Sequence, residues 1–166
     1  YNRISKELLP TPSKSHYIFN LRDLSRVFQG LLQGKRSVIT NTNVFVRLWI
    51  HEAMRVFHDR LVDNEDRNYF TNMIIELLRR HFDIAWNHQQ VFEGNPLMFG
   101  HFLRMGNTAD PIYEEINDME KLGSTLETYL ENYNLNSTKE MKLVFFKDAM
   151  QHLSRISRII RQPRGN

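Results

Sequence analysis

Among the residues able to do chemistry, Arg22 has the most informative setting. It shares one helix face with Arg26 and Gln29 at i, i+4, i+7 spacing, in the first turn of a helix opened by Asn20. A guanidinium offers a fixed fork of donors that matches phosphate or carboxylate oxygens, and it stays charged near neutral pH. In a first turn it opposes the helix dipole, so a partner outside the helix is expected; a solvated surface group is the plain alternative. Other chemistry fails on spacing. Gly30-x-x-x-Gly34-Lys35-Arg36-Ser37 has three residues between glycines instead of four, puts Arg before Ser, and follows a helix where a P-loop follows a strand. His51-Glu52-x-x-Arg55 lacks the second histidine of a zinc-protease helix, and His58 comes seven residues after His51, so a solvated or salt-bridged stripe is expected there. No serine sits in a G-x-S-x-G turn, and the pair Glu114-Glu115 reads as exposed helix residues. No catalytic residue, metal ligand or stand-alone enzyme is therefore expected.

The elements that must position Arg22 start with Asn20, whose side-chain oxygen suits a helix N-cap, and Asp23, whose charge favours the first turn. Leu21, Leu24, Phe28, Leu31 and Leu32 form an apolar stripe expected to face the core, over a helix at about residues 21–33. Residues 1–14, with Pro10 and Pro12, read as a connector. A second helix is predicted to begin after Asn43 and run to about residue 61, and a third behind Asp63 or Asn64. Gly94, Pro96, Gly100, Gly106 and Pro111 then punctuate a packed loop in which 97–103 forms a short strand or a helical turn. After a short segment at 113–118, helices are predicted at about 119–132 and 143–161. The last carries a stripe of Phe145, Ala149, Leu153, Ile156 and Ile160. The fold class is all-α, a bundle of about five to seven helices with an irregular central loop.

The 166 residues, 41% of them hydrophobic, suffice for one ordinary core. The absence of cysteine excludes disulfides and thiolate metal sites. No run of about 18 apolar residues occurs, so no membrane-spanning helix is expected. The N-terminus has no charged-then-apolar leader, and a start at Tyr1 with an end at Asn166 suggests a piece of a longer chain. Without a leader, the glycosylation acceptor pattern Asn136-Ser137-Thr138 reads as chance. A charge of +3 and a pI of about 9.3 raise the question of nucleic acid, but Lys and Arg are spread out except in the last dozen residues. Nucleic-acid binding would require Arg155, Arg158, Arg161 and Arg164 on one exposed surface.

Three ordered stretches carry a resemblance to a known family. Residues 15–32, SHYIFNLRDLSRVFQGLL, resemble the start of the small helical lid of a dynein heavy-chain AAA+ module, where an aromatic-rich segment leads into a helix with a first-turn sensor arginine. Residues 48–70, LWIHEAMRVFHDRLVDNEDRNYF, resemble the lid of the third module, and residues 143–166 resemble the segment before the fourth module's P-loop. FNLRDLSRV and RQPRGN look more axonemal than cytoplasmic; the cytoplasmic pattern has Pro where this chain has Leu21.

The resemblance implies an AAA+ lid-type helical bundle. Residues 1–14 would be the connector from the large subdomain, 15–142 the third-module lid, and 143–166 the leading helix and N-terminal loop of the fourth module. Arg22 would sense the γ-phosphate of nucleotide. Ile159, Ile160, Gln162, Pro163 and Arg164 would line the fourth module's nucleotide pocket. His51, Glu52, Arg55, Asp59 and Arg60 would be structural. The parent would be an ATP-driven, minus-end-directed microtubule motor of the ciliary or flagellar axoneme, in the cytoplasm and cytoskeleton, using ATP or ADP with Mg. The fragment itself would hold no cofactor. Its partners would be neighbouring AAA+ modules and, through the parent, microtubules and other dynein chains, with no nucleic acid and no membrane. A helical protein–protein scaffold and a basic nucleic-acid binder are the alternatives.

Overall fold

The computed structural model describes residues 1–93, 96–104 and 111–162. Within them lie seven α-helices: α1 (Ile4–Glu7), α2 (Leu21–Leu31), α3 (Thr42–Val56), α4 (Asn64–Phe82), α5 (His88–Phe92), α6 (Met119–Asn136) and α7 (Lys147–Arg161). Strands β1 (Phe99–Gly100) and β2 (Glu114–Glu115) pair antiparallel, with Phe99 opposite Glu115. The all-α class holds, and of the short strand or helical turn expected within 97–103 the structure shows a two-residue strand.

Helix starts follow local chemistry. Side-chain oxygens of Asn20, Asn41, Asp63, Asn87 and Asp118 accept first-turn amides of α2, α3, α4, α5 and α6. Helix α3 stops at Val56, before the expected 61. A 3₁₀ turn at His58–Arg60 follows and brings Leu61 into the core in an extended conformation. Helix α7 starts at Lys147, after the exposed Leu143 and Val144.

The chain divides into two compact units, residues 1–33 with 39–96, and residues 34–38 with 97–166. The first unit packs α2 on α3 over a core that includes Leu48, Ile50, Phe57, Phe70, Ile74 and Leu78. The second gathers Met98, Ile116, Leu122, Leu126 and Met150 from β1, β2, α6 and α7 and their flanks. Gly34 bridges Tyr113 in the same unit.

Two stripes expected to face the core turn largely outward, with Leu24, Leu31, Phe145 and Ala149 half-buried. On α2 the buried residues are Asp23, Val27 and Gly30, whereas Leu21, Phe28 and Leu32 are 69%, 56% and 83% exposed. The reason lies in α3: the fully buried Glu52 carboxylate fills the space a side chain at residue 30 would need, so the glycine edge turns inward. On α7 the buried residues are Met150, Ser154 and Arg158, and Ile156 and Ile160 point outward. The Ser154 hydroxyl donates to the Met150 carbonyl at 2.8 Å, which satisfies it inside the packed face.

Candidate functional site

The first turn of α2 is built from a capping box. Asn20 Oδ1 accepts the amides of Arg22 at 2.9 Å and Asp23 at 3.3 Å, while Asp23 Oδ2 accepts the Asn20 amide at 3.0 Å. This reciprocal pair fixes the helix start to the residue and holds Arg22 at its second position. The Arg22 side chain is exposed and has no hydrogen-bond or ion-pair partner among the described residues. Arg26 and Gln29 are exposed on the same helix, and Arg26 approaches Asp23 at 3.8 Å. That face is open, whereas a scaffold that used it internally would bury it.

The extended strap before α2 is tied down on its other side. Lys14 Nζ lies 2.5 Å from Asp63 and 2.6 Å from Asp66, at the start of α4. The hydrogen bond to Asp63 contributes most to holding the Lys14 ammonium above its ordinary pKa, and that same bond holds the Asp63 carboxyl below its own. The Tyr17 hydroxyl donates to Asp66 at 2.7 Å and accepts the Val62 amide at 2.9 Å. Its ring is buried, and burial is the main reason its ionisation is pushed up. Phe19, also buried, packs on Phe57 at 6.0 Å between ring centroids. The alternating buried Tyr17 and Phe19 with exposed His16 and Ile18 give the strap a strand-like inside and outside.

The histidine stripe of α3 is not solvated. His51 is 3% exposed, with Nε2 3.9 Å from the Glu52 carboxylate, and Arg55 pairs with Asp59 at 3.1 Å. Among the described residues no group of three or more His, Asp or Glu is arranged to hold a metal ion.

At the other end of the chain, Ile159 and Ile160 are 49% and 72% exposed, on the last turn of α7. Gln162 caps that helix through its amide, which donates to the Ile159 carbonyl at 3.1 Å, and its buried Nε2 has no partner among the described residues. Pro163 and Arg164 lie outside the described residues. Arg158 is buried, so the arginines of α7 do not share one exposed face, as nucleic-acid binding would require.

One residue stands out that periodicity does not single out for this site. Arg60, from the 3₁₀ turn after α3, reaches the strap and the first turn of α2 together. Its only sequence signal is its place in the DRL run that the lid resemblance contains.

The AAA+ lid domain profile matches residues 1–90, and that of the P-loop containing dynein motor region D4 matches residues 141–166. Over its full length the chain is 50% identical to human dynein axonemal heavy chain 6 and 45% identical to mouse dynein axonemal heavy chain 1. It is 43% identical to human dynein axonemal heavy chain 2. The chain spans 4% of the length of each of these relatives.

Proposed function

Because the chain belongs to the AAA+ lid domain family, with dynein heavy chains as its relatives, we propose that it is the third-module lid of an axonemal dynein motor ring, joined to the leading helix of the fourth module. In this reading 1–14 connect from the large subdomain, 15–142 form the lid, and 143–166 enter the fourth module. The match of residues 141–166 to dynein motor region D4 supports the order of these parts.

Arg22 is the nucleotide sensor. The observation that carries this role is an exposed guanidinium with no hydrogen-bond or ion-pair partner among the described residues, held on a first turn that a capping box and a buried carboxylate fix in place. A fixed fork of donors can grip the terminal phosphate of ATP, and ADP has no such phosphate to grip. The lid angle then follows the phosphate state, which makes the lid a connector between neighbouring modules. The phosphate cradle and magnesium ligands belong to other parts of the parent, where magnesium neutralises developing phosphate charge. Ile159, Ile160, Gln162, Pro163 and Arg164 line the adenine side of the fourth module's pocket, with the exposed Ile159 and Ile160 offering apolar contact. The parent motor works on microtubules in the ciliary axoneme, alongside other dynein chains.

The test is Arg22→Ala in the full motor. The pocket's preference for ATP over ADP is expected to fall by about tenfold, the loss of one charged contact to phosphate. The melting temperature of the 166-residue segment should stay unchanged, since the exposed Arg22 side chain has no hydrogen-bond or ion-pair partner among the described residues. An unaltered preference would remove the sensor assignment.

A further inference from the structure

Arg60 joins three things that the sequence keeps apart. Its Nη2 donates to the carbonyls of His16 at 2.8 Å and Ile18 at 3.2 Å. Those two carbonyls point the same way because alternate residues of an extended segment share a side. Its Nη1 lies 3.1 Å from Asp23 Oδ2, the carboxylate that closes the capping box of α2. Its guanidinium carbon stands 5.0 Å from the centroid of the Phe19 ring. The backbone answers in turn: the Arg60 carbonyl lies 2.9 Å from His16 Nε2. A carbonyl can only accept, so His16 carries its proton on Nε2 in this contact.

We infer that Arg60 is a positioning residue for Arg22: it sets the angle between the strap and α2, and so where the sensor guanidinium points. This rests on the sensor reading of Arg22. The strap and α2 meet at Asn20, a single residue with extended backbone. The capping box fixes the helix start but not the direction in which the helix leaves the strap. Arg60 is bound to both sides of that joint, with two bonds before Asn20 and one after it. Asp23 is 4% exposed, and its other cationic neighbour, Arg26, lies farther away at 3.8 Å with an exposed side chain. Arg22 is the residue adjacent to the carboxylate that Arg60 holds. A planar fork can serve two carbonyls and a carboxylate while lying over a ring; a lysine ammonium is a point charge that can keep the pair with Asp23 but not the whole set.

The experiment is a double-mutant cycle in the full heavy-chain motor, reading ATP and ADP affinity at the pocket beside the lid with fluorescent analogues of each. Arg60→Lys keeps the charge opposite Asp23 and is the variant on which the outcome rests; Arg60→Ala extends it. Each is expected to lower the ATP-over-ADP preference, by about threefold for Lys and about tenfold for Ala, because small misplacements of a binding group are costly. In an Arg22→Ala background the same Arg60 changes should shift the preference by less than about twofold, as expected when one residue acts through the other. If Arg22→Ala alone leaves the preference intact, the sensor reading fails and this inference falls with it. If Arg22→Ala lowers the preference but Arg60 changes do nothing, or act equally in both backgrounds, Arg60 is only structural and the sensor reading stands.

Discussion

Single side chains decide more here than their sequence neighbourhoods suggest. Gly30 is the clearest case: an added Cβ would lie 1.8 Å from Glu52 Oε2, on a carboxylate that is fully buried. Gly30→Ala gains about 1 kcal/mol of helix propensity but forces a buried, close-packed side chain to move, so a net loss of about 2 kcal/mol is expected. Chemical denaturation compared with the parent sequence would measure it, and a stabilised variant would refute the close packing of α2 on α3. Asn20 and Asp23 were legible from sequence as cap and first-turn acid, because capping depends on residues three apart in one chain. Arg60 was legible only as a structural member of the lid resemblance. Its partners lie about forty residues away, and no local rule links residues 16, 18 and 23 to residue 60.

At the scale of the element, hydrophobic periodicity found the five longer helices, missed the short α1 and α5, and misjudged which way two of the five face. The stripes of α2 and α7 are real as patterns, but a pattern says only that one side is apolar. Burial on α2 was settled by Glu52 from the neighbouring helix and by the ion pair to Asp23, neither of which a window of one helix contains. The reversal separates two substitutions cleanly. Val27→Ala removes a side chain that is 4% exposed and should cost about 2 kcal/mol. Phe28→Gln, next to it but outward, should change stability of the chain by no more than about 0.5 kcal/mol. Thermal melts of the two variants would test the orientation, and a larger loss from Phe28→Gln would restore the core-facing stripe.

For the whole molecule, the motif order along the chain revealed family and class, while the division into two compact units came from contacts alone. In the second, His101 is held down to about 4 from an ordinary 6.5, chiefly by burial and then by the charges of Arg161 and Lys35, with its ring stacked on Tyr113 at 4.5 Å. A histidine with a lowered folded pKa stays neutral in the native state while the unfolded chain takes up a proton. Its contribution is therefore complete above about pH 6.5 and fades as the pH falls toward about 4. His101→Asn should flatten the loss of stability between pH 7 and 4.5, measured by denaturant midpoints at both values; an unchanged slope would show that other groups carry it. The strap of the first unit has a mechanical corollary. Lys14 and Tyr17 are fastened to the start of α4, and both precede the joint at Asn20. Tension entering from the N-terminal side thus meets an anchorage on α4 before it reaches α2, so that helix is strain-relieved, like a cable clamped ahead of its connector.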